Sequence, residues 1–383
     1  MAPLSASQTL EIPPSPSSST VCLYIIDTGA RLWGLPGSSM MDPVLPGFEK
    51  GEDVKVPSYA FLIHHRQTNI RLLFDLSLRA DWESAFPPAF VQGVRRMGLK
   101  TEVGRDVADV LLAHGVDLAE IDAIILSHHH FDHTGDVGRF PTSTEVLVGP
   151  GYRKAFLPGW PANRRQFETT SDLYEGRRTI ELNFAHDNPK VSSIGGFLAH
   201  DYFSDGSLYI LSTPGHTIGH LSALARTTTS KNGGASTFIF LGGDIAHSQA
   251  VFRPSAKHPL PAVIPTPNDR PFTSNTSHQS EHIAQMHRLY SEPEGQALSR
   301  TTPFSKVAGP EHDLAESQRS ADKLADFDGA QNILTILAHD ASLQGVLEFF
   351  PRKANDWKEK GWKKEGHWRW LAPCLRDHAS SKL

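Results

Sequence analysis

One stretch, Leu126-Ser-His-His-His-Phe-Asp-His-Thr-Gly-Asp136, narrows what this chain can be more than any other. Four potential metal ligands, His128, His130, Asp132 and His133, fall within six residues, directly after the apolar run Ile121–Leu126. That run reads as a short buried strand, so the ligands sit on the loop leaving a strand's C-terminal end. His128 and His130, two apart in an extended segment, point the same way and can share one metal. Asp132 and His133, on the turn that follows, can reach a second. Imidazole and carboxylate at this density suit zinc best, with iron, cobalt or manganese as alternatives. In a chain with 20 His, the plainer reading is a surface loop that chelates by accident. The remaining strand ends decide between the two.

Three further polar groups stand where a strand is expected to end. His216 lies in Ser212-Thr-Pro-Gly-His-Thr-Ile-Gly-His220 after the run Leu208–Leu211. Asp244 closes Leu241-Gly-Gly-Asp244 after Thr237–Leu241, and His339 follows Ile333–Leu337. Pro214 and Gly215 make a tight turn that aims a side chain back across the strand ends. A carboxylate with two free oxygens can bridge two cations, and glycines let a backbone approach closely. Each of these residues alone is more often a structural His or a capping Asp. Their recurrence at strand ends, in this order, argues for a metal site.

The rest of the chain reads as an ordinary globular protein. Its 383 residues allow one large domain or two smaller ones, with 39% apolar and 21% charged residues. A net charge of −5 gives no reason to expect nucleic acid as a partner. Cys22 and Cys374 cannot build a disulfide framework, which fits a reducing compartment. The first residues lack a basic region leading into an apolar core, and no apolar run approaches ~18 residues. A cytoplasmic location and no membrane contact are therefore expected, with the oligomeric state left open.

Residues 1–19, rich in Ser and Pro, are expected to form a disordered tail, residues 20–350 the folded domain, and residues 351–383 an extension. Strands are expected at Val21–Ile26, at Tyr59–Ile63 and Ile70–Phe74 as a hairpin, and at Glu145–Val148 and Leu221–Ala225. Val103, Val107, Val110 and Leu111 predict an amphipathic helix, and Leu343, Val346, Leu347 and Phe350 another. Helical signals also occur at Glu281–Tyr290 and Ala315–Phe327. Apolar groups on the loop from Ala30 to Pro57, such as Trp33, Met41 and Phe48, are expected to pack on the core or touch a ligand. Tyr152–Asp201 and Phe252–Ser280 carry no readable pattern. The run Asp356–Trp370 mixes Trp and Lys. It suggests nucleic-acid or membrane contact, but Asp356, Glu359 and Glu365 dilute its charge, and packing of the Trp rings on the core is preferred.

The set His128-x-His130-x-Asp132-His133, then His216, Asp244 and His339, resembles the metallo-β-lactamase-fold hydrolases over roughly Val21 to Phe350. The resemblance implies an α+β fold, a four-layer αββα sandwich with a dinuclear metal site at the sheet edge. It puts one Zn²⁺ on His128, His130 and His216, the other on Asp132, His133 and His339, and Asp244 between them. Asp75, ending a strand, would support a ligand His or simply cap the strand. The Ala338-His339-Asp340 ending resembles the N-acyl homoserine lactonase branch. That branch carries a Tyr three residues after the bridging Asp, where this chain has His247. His247 reads equally as a hydrogen-bond donor to substrate or as a surface histidine.

The function this implies is opening of a small cyclic ester by metal-bound hydroxide, with Asp132 and His247 as catalytic residues. Hydrolysis of a lactam, cyclic carbamate or thioester is the alternative. A relative that binds metal or ligand without turnover is a third reading, and the complete ligand set counts against it.

Overall fold

The computed structural model describes residues 10–16, 18–51, 54–229, 235–264 and 278–375. Two six-stranded sheets form the frame, each with its strands side by side in chain order. The first contains β1 (Cys22–Ile26), β2 (Ala60–His65), β3 (Ile70–Phe74), β4 (Ala123–Ile125), β5 (Glu145–Val148) and β6 (Thr179–Glu181). Its first three strands are antiparallel, and β3 to β6 run parallel. The second contains β7 (Val191–Ile194), β8 (Phe197–Asp201), β9 (Leu208–Ser212), β10 (Leu221–Thr228), β11 (Thr237–Leu241) and β12 (Ile333–Ile336). Here β7 to β11 are antiparallel and only the last pair, β11 with β12, is parallel.

Side-chain alternation assigns the faces. In β4, Ala123 and Ile125 join Ile25, Phe61 and Phe74 against Ile210, Ala223, Ile239 and Ile336 of the other sheet. Ile124 points the opposite way, onto the cluster that α1 (Val107–Ala113) covers with Val107, Val110 and Leu111. A central parallel strand buried on both faces must be apolar throughout, and this one is. A single turn, α2 (Phe131–Thr134), follows β4. On the far side α3 (Leu314–Gly329) lays Ala321, Leu324 and Phe327 over Phe197 and Phe240 of the second sheet. Helix, sheet, sheet and helix make the four αββα layers expected from the sequence.

The differences have identifiable causes. Val103 is 41% exposed and lies outside α1, because Asp106 is extended and starts the helix after it. Leu343, Val346, Leu347 and Phe350 form no α-helix. Gln344 is extended and Gly345 takes φ +79°, so the chain turns after the single 3-10 turn Ala341–Leu343. All four still pack inward, Leu343, Val346 and Leu347 between the sheets and Phe350 edge-on to Tyr24. A turn can thus reproduce a helical burial period. The stretch from Tyr152 to Asp201, unreadable by period, holds a short helix (Tyr152–Phe156) together with β6, β7 and β8.

Within the expected tail, residues 1–9 and 17 lie outside the described residues. Leu10 and Ile12 pack on the outer face of the second sheet, and Arg226 donates to the Pro13 carbonyl at 2.6 Å. This part is therefore ordered rather than a free tail, held by two apolar side chains and one buried guanidinium. The segment between β1 and β2, expected as a loop, holds the short strands Arg31–Trp33, Met41–Asp42 and Val56–Pro57; from it Met41 enters the same outer cluster and Phe48 packs against it. Among the described residues, no helix is long and apolar enough to cross a membrane.

The C-terminal segment buries Trp357, Trp362, Trp368 and Trp370. A charged network fastens it. Arg253 grips Asp328 with two nitrogens, at 2.7 and 2.9 Å, and donates to the His367 carbonyl at 2.7 Å. Lys363 spends three hydrogen bonds on the carbonyls of Asp328, Ala330 and Ile333. Burial alone raises the Asp328 carboxyl, but Arg253, His367 and Lys363 hold it far below the usual carboxylate range. A carboxyl depressed in the folded state stabilises fully above its unfolded value, ~3.9, and loses that contribution as pH falls through the folded one. Asp328→Asn should therefore cost about 3–5 kcal/mol at neutral pH, because Arg253 stays buried without its counter-charge. Urea melts should show the gap from wild type narrowing below about pH 4; a gap that does not change with pH would refute the assignment.

Candidate metal centre

The centre is assembled from strand ends of both sheets. Ser127, just past β4, is fully buried, and its N–H and Oγ both donate to the Asp75 carboxylate at 2.7 Å. Asp75 follows β3, and its Oδ2 also accepts from His133 Nδ1 at 2.9 Å. It therefore does both things the sequence allowed, capping the strand end and supporting a histidine. His130 is extended (φ −63°, ψ 145°) and ends the loop, while Asp132 and His133 belong to α2. The middle histidine, His129, turns away and stacks on Phe156 at 3.8 Å between ring centroids.

His216 arrives on the turn between β9 and β10, Asp244 after β11 and His339 after β12. The Asp244 N–H donates to His220 Nε2 at 3.0 Å, so the backbone before the carboxylate is pinned. Gly243, at φ +54°, permits this, since a Cβ there would come within 2.9 Å of Ser127 and 3.0 Å of His220. The seven expected donors then fall into two groups, His128, His130, His216 and Asp244 in one, Asp132, His133 and His339 in the other, and His216 also meets His247 and Glu311 in a third. Within each group, the atoms lie within 4.8 Å of one another. Asp244 stands between them: Oδ2 is 3.3 Å from His133 Nε2, 3.7 Å from His216 Nε2 and 3.8 Å from His128 Nε2, and Oδ1 is 3.3 Å from His339 Nε2. All seven residues chosen from the sequence meet here.

The hydrogen bonds behind the imidazoles decide which nitrogen faces the middle. Nδ1 is engaged by Ser127 Oγ in His128 (2.9 Å), by Asp75 in His133 (2.9 Å), by Glu311 in His216 (3.0 Å) and by the Pro57 carbonyl in His339 (2.7 Å). Nε2 of each therefore points inward. His130 presents Nδ1 instead, 3.1 Å from His216 Nε2. His133 and His339 face each other through Nε2 at 3.3 Å. In neutral rings protonated on Nδ1 these atoms are two lone pairs, which repel. A shared cation removes the conflict, and two nitrogens at tetrahedral zinc distances of about 2.0–2.1 Å lie about 3.3 Å apart. His128 Nε2 and Asp244 Oδ1 are buried without a hydrogen-bond partner. The donor set thus fits a pair of divalent ions.

Electrostatics agrees. Burial disfavours charge on His133, yet Asp244, Asp132 and Asp75 outweigh it and raise that imidazole well above its ordinary value. Burial and the neighbouring histidines push His128 and His130 well below theirs. A proton is thus favoured on His133, beside Asp244 and Asp132, and disfavoured on His128 and His130. His247, left open by the sequence between donor and surface residue, lies at the centre, its Nε2 3.2 Å from Asp244 Oδ2 and its Nδ1 3.5 Å from Glu311. Against the cost of burial, these carboxylates push it up to about 10. The sequence reading had no role for Glu311, His220 or Ser127. His220 stood four residues after His216, a visible spacing, whereas nothing near Glu311 marks it.

The sequence pattern of the metallo-beta-lactamase superfamily matches residues 55–228. Gamma-lactamase FDB1 of Fusarium pseudograminearum is 40% identical over 358 residues, covering 92% of this chain and 82% of that protein. The chain belongs to the metallo-beta-lactamase superfamily. A second relative, metallo-hydrolase mfmC of Annulohypoxylon moriforme, is 36% identical across 92% of this chain and 87% of its own length. Among solved structures, an AiiA mutant of B. thuringiensis with N-decanoyl-L-homoserine bound at its active site has the same fold. It shows 17% identity and a TM-score of 0.53, over 88% of this chain and 99% of that one. As a metallo-beta-lactamase superfamily member, the protein is a metallo-hydrolase.

Asp75→Asn tests the support behind His133. Asp75 takes φ +57°, which Asn tolerates, so the backbone should hold while the charged acceptor is lost. Affinity for an added divalent metal ion should fall about 10- to 100-fold, the usual effect of removing a group behind a ligating histidine. Unchanged affinity in a chelator titration would leave Asp75 a strand cap alone.

Proposed function

We propose that this protein is a dinuclear, zinc-dependent hydrolase that opens a small cyclic amide or ester, with a γ-lactam as the first substrate class. The observation that carries this reading is the similarity to a gamma-lactamase over nearly the whole chain. The cyclic ester expected from the sequence presents the same carbonyl and stands second, supported by the Ala338-His339-Asp340 ending.

In this reading His128, His130 and His216 would hold one ion and Asp132, His133 and His339 the other, with Asp244 within reach of both. The inward Nε2 atoms and Asp244 Oδ1, buried without a hydrogen bond, support it. Two divalent ions, when bound, polarise the substrate carbonyl and lower the pKa of water toward neutrality. The other tasks fall to side chains. Asp132 Oδ2, 3.3 Å from His339 Nε2, would accept a hydrogen bond from the attacking water, orient its lone pair and take up the proton that the water loses, releasing it to solvent once the ring is open, while His247 regains from solvent the proton it gives. An amide nitrogen leaves poorly until it is protonated, whereas an ester alkoxide leaves more readily. His247, with its side chain 22% exposed beside Asp244, is placed to give that proton. This physical difference is a second reason to rank lactams first.

Elemental analysis of the zinc-loaded protein should find two ions per chain. At matched concentration, a γ-lactam should turn over faster than a γ-lactone, and both faster than a thioester. Preference for the thioester would overturn the substrate class, and one ion or none would overturn the dinuclear site. Asp132→Asn keeps one ligating oxygen but cannot take up a proton, so kcat should fall by at least ~10²-fold while part of the metal remains. A variant with both ions and near-normal kcat would reduce Asp132 to a ligand.

A further inference from the structure

Glu311 belongs to no motif, yet its carboxylate touches two imidazoles of the centre. Oε2 accepts from His216 Nδ1 at 3.0 Å and from Ser317 Oγ at 2.8 Å, and Oε1 lies 3.5 Å from His247 Nδ1. Its side chain is 3% exposed. The backbone around it is docked on the turn that carries His216: His312 N donates to His216 O at 3.0 Å and Asp313 N to Gly215 O at 2.9 Å. From α3, which Asp313 caps by accepting from Glu316 N, Ser320 Oγ donates to Pro214 O at 2.7 Å. Gly215 makes this closeness possible, because at φ +131° a Cβ would come within 2.3 Å of Ser317 N. The turn and the first turn of α3 therefore meet backbone to backbone, and Glu311 is held at a set distance from His216.

We infer that Glu311 is a positioning residue that keeps the proton of His216 on Nδ1, leaves Nε2 free for an ion, and ties His247 to the same carboxylate. This rests on the reading of the cluster as a metal centre. A neutral imidazole has one N–H, and whichever nitrogen faces a good acceptor keeps it. A carboxylate is the strongest such acceptor and also raises the basicity of the opposite nitrogen. Docking α3 on the turn does not need Glu311, since three hydrogen bonds and the Gly215 contact already do that. What the carboxylate adds is orientation of two rings that face Asp244.

The test uses the full chain as wild type, E311A, E311Q and H216A, titrated with zinc against a chelator. Cobalt-substituted spectra and melting of the metal-free proteins run in parallel. E311A should weaken one of two ions by about 10- to 100-fold, leave the other unchanged, alter the cobalt spectrum and keep the metal-free melting point. E311Q, whose amide oxygen still accepts from Nδ1–H, should fall between E311A and wild type. H216A should lose the same ion, and adding E311A to it should cost that ion nothing more. If E311A does not fold, E311Q carries the comparison. Wild-type affinity for both ions in the Glu311 variants overturns the positioning role and leaves the two-metal reading standing. Absence of any ion in wild type overturns that reading and this inference together. A third ion per chain, lost in E311A, would make Glu311 a ligand and likewise overturn the role.

Discussion

Five imidazoles and two carboxylates converge at the edge between two sheets, most of them buried. Desolvation forbids leaving a carboxylate such as Asp244 there uncompensated, since an unpaired buried charge costs several kcal/mol. Protons on His133 and His247 answer part of that charge, but where two unprotonated inward nitrogens face each other, at 3.1 and 3.3 Å, a shared cation is what reconciles them. Much of the local structure follows from that demand. Ser127 and Asp75 lock the loop after β4, His220 pins the backbone of Asp244, and the Pro57 carbonyl turns His339. Each is a contact behind a donor, and each leaves the inner nitrogen or oxygen unspent.

Why the candidate donors stand at strand ends is a matter of topology. β4 lies between parallel neighbours in one sheet, and β11 and β12 run parallel in the other. Parallel strands bring their C-terminal ends to one edge, so the loops leaving β4, β11 and β12 emerge together. β9 contributes through the turn that leads into β10, which carries His216 to the same edge. The apolar strand interiors set the position, and the loops need supply only the donors. This is why spacing in the sequence was enough to find them: each donor follows a run of buried apolar residues that must form a strand.

The frame and the donors were therefore legible. β1 to β5 and β9 to β12 form where the apolar runs place them, and all seven donors meet. Legibility failed where burial and local conformation part company. Leu343, Val346, Leu347 and Phe350 have the burial period of a helix, yet Gly345 in a left-handed conformation breaks it, and periodicity reports burial rather than backbone shape. Leu10 and Ile12 looked like part of a polar tail because a two-residue apolar signal is lost among Ser and Pro. Glu311 failed for a different reason. Its position comes from α3 docking on a turn nearly a hundred residues earlier, and no local spacing encodes a contact of that range.

The contacts behind the imidazoles also divide the work between the two proposed ions. His133 and His216 are each backed by a carboxylate, Asp75 and Glu311 respectively, and they belong to different groups. His128 has a hydroxyl and His339 a backbone carbonyl behind it. A carboxylate makes the opposite nitrogen a stronger donor than a neutral acceptor does, so each group contains one carboxylate-backed imidazole, His216 in one and His133 in the other. The symmetry ends at His247. Glu311 reaches it as well as His216, whereas Asp75 serves His133 and Ser127 and has no second imidazole. One side of the centre thus carries the His247 imidazole between Glu311 and Asp244, and the other side carries Asp132. A proton taken on one side and a proton given on the other is what hydrolysis of an amide requires. The asymmetry of the two carboxylates is therefore the feature that points beyond metal binding toward a direction for the chemistry.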